Sequence, residues 1–166
     1  MWSIVSVNKK DLEAYKAKLE ALKKEVPEIM DRLAVAEGVY AVRQARLICK
    51  NDSPDIINTG DYRRNFQSDK QALRNGKSYR VRFYNNLDYA KPLEYGFRSH
   101  FVPGHWEGHV FVYQPKDEEG GMYVGSPGGF VPGHFTLRRA AKRTKDTQNA
   151  RLSRKIGDVI RRRMKG

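Results

Sequence analysis

The stretch SYRVRFYNNLDYAKPLEYGF, residues 78–97, decides the class of fold. Its first nine residues alternate apolar and polar side chains, the apolar set being Tyr79, Val81 and Phe83. This period of two predicts a half-exposed β-strand. The remainder combines aromatic residues with a proline and a glycine, which predicts a compact, turn-rich or short helical piece. A strand therefore stands in the middle of the chain, and the residues on either side of it decide what kind of sheet it joins.

Further strands follow this one directly. The pattern HVFVYQ, residues 109–114, predicts a second strand, and GMYVG, residues 121–125, predicts a third with glycine-rich hairpins and loops around it. Upstream, TGDYRRNF at residues 59–66 predicts a short helix, because Thr59 is a good N-cap residue and Asp61 lies in the first turn. Strands that succeed one another without long helices between them predict an antiparallel sheet in an α+β fold.

Helical periodicity marks both ends of the chain. Residues 11–24 and a second apolar stripe that ends near Lys50 predict N-terminal helices, with Pro27 in the first turn of the second one. Two antiparallel helices and one kinked helix are both compatible with this pattern. Residues from Phe135 onward predict a long C-terminal helix. We expect one domain over residues 1–166, helical over 1–50, with a small antiparallel sheet and long loops over 51–134 and a long basic helix over 135–166.

The formal net charge of +13 is concentrated near the C-terminus. Residues 138–165 hold 12 Lys or Arg against two Asp. Such a segment can contact nucleic acid, an acidic protein surface or only water. A nonspecific nucleic-acid-binding protein that uses this helix is therefore the alternative function. Its candidate contacts to DNA or to an acidic partner are Arg138, Arg139, Lys142, Arg143, Arg154, Arg161 and Arg162.

Compartment and membrane signals are simple. No apolar run approaches the roughly 20 residues that cross a bilayer, and the N-terminal residues lack the apolar stretch of a secretion signal. Cys49 is the only cysteine, so the chain has no internal disulfide and no cysteine-based zinc knuckle. These features predict a cytoplasmic protein without membrane contact.

The pentapeptide FVPGH occurs twice, at residues 101–105 and 130–134. HWEGH, residues 105–109, lacks the HExxH spacing of a helical zinc site, and its neighbouring prolines and glycines disfavour a helix. An H-x-E start is present without the P-C-x-x-C of zinc deaminases. We therefore predict no metal site and interpret the two copies as similar bends with aromatic anchors. The four candidate ligands are His100, His105, His109 and His134.

The sequence contains none of the common catalytic motifs. The sequence has no G-x-S-x-G elbow and no glycine-rich phosphate loop before a Lys-Ser or Lys-Thr pair. Cys49, near the end of an amphipathic helix, fits a semi-buried structural thiol. We predict that the protein is not an enzyme and needs no cofactor.

Three stretches together resemble a known family. They are INTGDYRRNF at residues 57–66, SYRVRFYNN with LDYAKPLEYGF at residues 78–97, and PGHFTLRRAAKRT at residues 132–144. They resemble the bacteriophage neck proteins, often labelled "putative tail component", that act in tail completion and head–tail joining. The forms FVPGHW and FVPGHF look most similar to members from Gram-positive prophages with contractile tails, including PBSX-like particles. Departures from the family pattern are Tyr62 in place of Leu and Asn65 in place of Ser.

The resemblance implies a structural protein of the virion neck, assembled in the bacterial cytoplasm. It implies a ring, expected to hold six copies, whose sheet forms the wall and whose loops reach adjacent rings. The implied partners are other copies of the chain, the phage connector or stopper, and tail tube, sheath or terminator proteins, with DNA passing through the neck as a further contact.

Two sets of residues carry this interpretation. Glu94 is flanked by Leu93 and Tyr95 and needs a partner if it is buried, so we expect a salt bridge to Arg63, Arg64 or Arg98 within or between subunits.

Deleting residues 125–129 should abolish head–tail joining and leave the monomer folded. By the family motif, the residues expected to lock the fold are Thr59, Gly60, Arg64, Tyr89, Glu94 and Gly96. The expected interface residues, exposed aromatics beside polar groups, are Phe101, His105, Trp106, Tyr123, Phe130 and Phe135.

Overall fold

The computed structural model describes residues 8–51, 60–115 and 120–165. Its first element is a single helix, α1, spanning Lys9–Asn51 and passing through Pro27. The expected position of Pro27, in the first turn of a second helix, is therefore wrong, because the helix is continuous through it. Pro27 removes one backbone hydrogen bond, to the carbonyl of Lys23, but both residues are exposed, so water can hydrate that carbonyl.

A continuous apolar stripe explains why α1 does not break at Pro27. Leu22, Ile29 and Leu33 repeat at the spacing of a helix that packs against another helix, and Leu33 is buried. The partner is α4, Thr136–Lys165, the long C-terminal helix that the sequence predicts. Because this partner covers the stripe on both sides of Pro27, tertiary packing offsets the local cost of the proline.

The two long helices run antiparallel, and three contacts along α1 establish the direction. The Lys18 ammonium donates to the carbonyl of Met164 at 3.2 Å, and Glu25 pairs with Arg163 at 2.6 Å. Further along, Glu37 pairs with Arg151. The basic C-terminal helix is therefore docked on its own chain over most of its length.

Short strands and two short helices connect the long helices. The stretch 78–85 forms two strands rather than the one predicted, because the chain turns at Val81 and Arg82. Arg82 exchanges hydrogen bonds with Asp69, and Val81 packs where Gly38 of α1 leaves room. The elements are α2 Asp61–Arg64, β1 Phe66–Ser68, β2 Leu73–Asn75, β3 Ser78–Arg80, β4 Phe83–Asn85, α3 Ala90–Tyr95, β5 Gly96–Arg98, β6 His100–Glu107, β7 Val110–Tyr113, β8 Gly121–Val124 and β9 Phe130–Pro132.

All the strand pairs of the described residues are antiparallel. β1 pairs with β4, β2 with β3, and β5 with β9, while β6 lies between β7 and β8. The predicted α+β fold, with N-terminal helical structure, small antiparallel sheets and a long basic C-terminal helix, is confirmed.

The interpretation of both FVPGH copies as bends is wrong for the first copy. Residues 101–105 lie inside β6, the longest strand. Pro103 is tolerated there because it is the last β6 residue paired with β8, and the strand changes partner at Gly104. The second copy contributes β9 and then turns into α4, as expected.

The core lies where α1, α2, β1 and the first half of α4 meet. Ala45, Ile48 and Cys49 of α1 pack with Tyr62, Phe66 and Ala140 in one buried cluster. Among the helices of the described ranges, none has the length together with the apolar character needed to cross a bilayer.

Candidate functional site

A long β-ribbon carries all the predicted interface residues except Phe135, which lies between the ribbon and α4. β5 and the first half of β6 form one strand of the ribbon, and β9 and β8 form the other, with registers that run from Gly96↔Pro132 to Pro103↔Gly121. The second half of β6 continues into a hairpin with β7, closed by Gly108 and His109. Gly108 has a φ of 63°, as the first position of a type II′ turn requires. We call residues 96–113 and 121–132 the aromatic arm.

The arm exposes large apolar side chains. Trp106 is 57% exposed, Tyr123 is 53% exposed and Phe130 is 61% exposed. His105 and the remaining predicted interface aromatics, Phe101 and Phe135, are exposed as well. Val110 and Tyr113 of β7 are also exposed and were not among the predicted interface residues, although both belong to the predicted strand HVFVYQ.

Aromatic pairs stiffen the arm across its strands. The rings of Phe101 and Tyr123, which are cross-strand partners, meet edge-to-face with centroids 5.4 Å apart. Trp106 and Phe111 do the same at 5.3 Å. Such pairs are favourable beyond their buried area. The arm therefore presents its aromatics in fixed positions.

The close packing of the Phe111 ring against β6 requires a glycine at position 104. It has a φ of 148°, and a Cβ there would lie 2.2 Å from the carbonyl oxygen of Val112 and 2.9 Å from the ring of Phe111. The ring lies over the backbone of the partner strand in the space that a side chain would fill. A residue with a Cβ would therefore displace both the strand and the ring.

The four histidines do not converge on one site. His100 contacts the Arg98 carbonyl at 3.2 Å, and His105 contacts Glu107 at 3.3 Å. His109 lies in the hairpin turn, and the backbone N–H of His134 donates to the Leu93 carbonyl. Within residues 8–51, 60–115 and 120–165, no group of three or more His, Cys, Asp or Glu side chains could hold a metal ion.

Glu94 has a different partner from the one expected. Its side chain is 3% exposed, and its two carboxylate oxygens accept the backbone N–H groups of Leu137 at 2.8 Å and Arg138 at 3.0 Å. The partner is thus the open N-terminus of α4 and not an arginine side chain. The first turn of α4 contains no acidic residue, so Glu94 supplies the charge that a helix N-terminus favours.

The chain around this cap is packed backbone against backbone. Gly96 has a φ of 83°, and a Cβ there would lie 2.4 Å from the Val131 carbonyl oxygen. At Gly133 a Cβ would lie 2.3 Å from the Glu94 carbonyl oxygen. Phe135 donates its N–H to the same Glu94 oxygen at 3.1 Å. The Y-A-x-P-L-E-Y-G motif therefore holds the start of α4, and the root of the arm, against α3.

The other motif residues have smaller visible roles. Gly60 has a φ of 79° and precedes α2, while Arg64 pairs with Asp61 at 2.7 Å. Tyr89 precedes α3 and is 45% exposed. Thr59, the predicted N-cap, lies outside the described residues.

Buried polar groups lie behind the cap. Burial raises the pKa of the Cys49 thiol to about 11 and raises the pKa of Tyr62 above its ordinary value. Thr136, the first residue of α4, is also fully buried. Both titratable groups are therefore neutral at physiological pH, as in a structural core and unlike an activated nucleophile.

The basic residues of α4 divide into one that faces inward, Arg151, and a larger exposed set. Arg151 faces inward, where it binds the Glu37 carboxylate and lies 3.6 Å from the centroid of the Tyr40 ring. Lys142 pairs with Asp146 at 2.8 Å on the surface. Six of the seven predicted contacts are exposed and Arg139 is half-buried. The exposed residues are Arg138, Lys142, Arg143, Arg154, Arg161 and Arg162.

A second basic surface was missed by the sequence analysis. It is a cleft of about 680 Å³ between the C-terminal half of α1 and α2. The signal was present in the α1 sequence, since Arg43, Arg46 and Lys50 are spaced to share one helix face. Its lining residues are Val39, Val42, Arg43, Arg46, Leu47, Lys50, Arg63 and Arg64.

A helical body, an exposed aromatic arm and basic surfaces are features of a protein that works through contacts with other macromolecules. Residues 13–96 match the family described as "Bacteriophage HK97-gp10, putative tail-component". The match covers about half of the chain, so the chain belongs to this family and is a structural component of a bacteriophage. No significant match was found to a curated protein or to a solved structure.

The family match confirms the resemblance inferred from the sequence motifs. It includes the stretch 57–66 and nearly all of the stretch 78–97, and it ends before the third stretch at 132–144. The finer resemblance to Gram-positive prophages with contractile tails stays a prediction.

Proposed function

We propose that the protein forms a ring at the head–tail junction of the virion, where it completes the tail or joins it to the head connector. Its family membership supports a structural role in the phage particle. The expected stoichiometry of six comes from the resemblance. The proposed partners are further copies of this chain, the connector or stopper, and the tube, sheath or terminator proteins of the tail.

The observation that carries this proposal is the exposed aromatic arm. Burying a large aromatic side chain stabilises a protein by about 2–3 kcal/mol, so a monomer that leaves Trp106, Tyr123 and Phe130 exposed forgoes that stabilisation. Large exposed apolar patches with polar neighbours are typical of surfaces that bind other proteins. β7 and β8 also form the two edges of a three-stranded sheet, where a partner strand can add.

The arm is built to hold its position when it binds. Its root is fixed by the backbone contacts of Gly96 and Gly133, and its strands by the two edge-to-face aromatic pairs. A preorganised surface loses little conformational entropy on association. The arm is thus suited to a contact repeated around a ring, in which the arm of each copy binds a second, different surface of its neighbour.

Self-association can be tested with Trp106→Ser/Tyr123→Ser and a matched control, Leu73→Ser. Leu73 is 71% exposed on β2, away from the arm. The molar mass of the purified protein is measured by light scattering over a range of concentrations. In phage particles, the number of copies in contact is measured after cross-linking. The wild type and the control should form the ring, and the arm variant should not. Rings formed equally by all three proteins would show that the arm is not the contact.

A further inference from the structure

The cleft between α1 and α2 concentrates positive charge in a small area. Five cationic side chains line it, and one of them, Arg64, pairs with Asp61. Arg43 and Lys50 are exposed, and Arg63 is half-buried. Across the described residues, these three side chains have no ion-pair partner. Like charges placed together without counter-charges repel each other, so this arrangement favours an anionic ligand.

The cleft is also shaped to hold its cations in place. Arg46 donates to the backbone carbonyls of Arg64 at 3.2 Å and Phe66 at 3.0 Å, which ties the α1 face to α2. Val42 and Leu47 form an apolar floor, along which the alkyl stems of the arginines can lie while their guanidinium groups face outward. The cationic side chains are therefore held by two helices, α1 and α2, which the hydrogen bonds of Arg46 connect.

The chemistry of the lining favours phosphate over an acidic protein segment. Protein interfaces are rich in aromatic side chains, and the described residues that line the cleft include none, whereas the arm exposes several. Four of its five cations are arginines, whose planar group binds phosphate in a bidentate manner. The net charge of +13 adds a long-range attraction to polyanions.

The spacing suits the backbone of duplex DNA. Arg43 and Lys50 are seven residues apart on α1, about 10 Å along the helix axis. One DNA strand presents about three phosphates over that length. We propose that the cleft, through Arg43, Lys50 and Arg63, is a sequence-independent binding site for the phosphate backbone of duplex DNA. The site is separate from the arm and from the outward face of α4.

The test is the salt dependence of binding to a fluorescently labelled 30-base-pair duplex, followed by anisotropy. Three phosphate contacts predict a slope of log K against log salt of about −2.7, so affinity falls about 40-fold between about 50 and 200 mM salt. Arg43→Gln/Arg63→Gln removes two contacts and should reduce that loss to about 3.5-fold. Its affinity at low salt should fall as well.

Matched variants separate the cleft from charge in general. Lys23→Gln/Lys24→Gln removes the same charge from exposed positions in the N-terminal half of α1 and should keep the wild-type slope. Arg43→Lys/Arg63→Lys keeps the charge and should restore most of the binding, which excludes misfolding as the cause. An unchanged slope in the cleft variant, or an equal loss in the Lys23/Lys24 variant, would overturn the proposal. So would binding of poly-L-glutamate but not DNA, since the cleft would then serve an acidic protein.

Discussion

Among single residues, Glu94 shows how one carboxylate can connect distant parts of the chain. It lies on α3 and caps α4, 43 residues later in the sequence. Glu94→Gln keeps the shape but removes the charge and turns an amide N–H toward one of the two backbone donors. We expect a loss of about 2 kcal/mol in the free energy of unfolding, the size of a strong capping and helix-dipole contribution. Urea denaturation followed by circular dichroism measures it.

Arg98→Gln is the control for this prediction. If Glu94 depended on a salt bridge to an arginine, as its sequence context suggested, removing that arginine would cost about as much as removing the carboxylate. Since the partner is backbone, Arg98→Gln should change the free energy of unfolding by less than about 0.5 kcal/mol. Equal losses in the two variants would instead support a salt bridge between Glu94 and Arg98.

Cys49 makes stability depend on pH in the alkaline range. Burial raises its pKa from 9.0 to about 11, so between those values the folded protein keeps a proton that the unfolded chain has lost. The contribution of the thiol is constant below pH 9 and decreases as pH rises toward 11, by at most about 1.4 kcal/mol per pH unit. The stability difference between wild type and Cys49→Ala should narrow accordingly. A constant difference from pH 8 to 11 contradicts the assignment.

At the scale of elements, the docking of α4 on α1 depends on a nearly buried ion pair. The side chains of Arg151 and Glu37 are 12% and 8% exposed, and the pair raises the pKa of Arg151. Arg151→Met leaves the Glu37 carboxylate buried without a cation, which should cost about 3–5 kcal/mol in urea unfolding. Glu37→Leu/Arg151→Met should recover most of that loss, because it removes both charges. Arg154→Met, at an exposed position, should be nearly neutral.

The long helices and the α+β class were predictable from the sequence, and the arm was not. Apolar periodicity persists through Pro27 and along α4, so local pattern was enough to find these helices. β6 contains FVPGHW, in which a proline and a glycine mask the strand pattern. Only pairing with β7 and β8 makes it a strand, and such pairing is not visible in a local window. The partner of Glu94 was not predictable for the same reason, because it is a backbone group 43 residues later in the sequence.

Over the whole molecule, the aromatic arm and the two main basic surfaces lie on different elements. Most of the exposed aromatics of the described residues lie on the arm, while the basic surfaces are the cleft and the outward side of α4. A chain of net charge +13 disfavours association with copies of itself through its basic faces. Subunit contact through an arm that carries few charges avoids this repulsion and leaves the basic faces available to anionic partners.

The loop at residues 125–129 gives the last test of the arm as a whole. It bulges from the ribbon between β8 and β9, opposite Ser99, whose N–H donates to the Gly129 carbonyl at 3.0 Å. Deleting it would join Val124 to Phe130 and leave Ser99 as a single-residue β-bulge, which a ribbon tolerates. The monomer should therefore keep its helical circular dichroism and melt within a few degrees of wild type. Phage that carry the deletion should yield separate heads and tails in electron micrographs, because the arm loses its outward projection. Complete particles would show that the loop takes no part in joining, and a collapsed melting temperature would show instead that it holds the ribbon together.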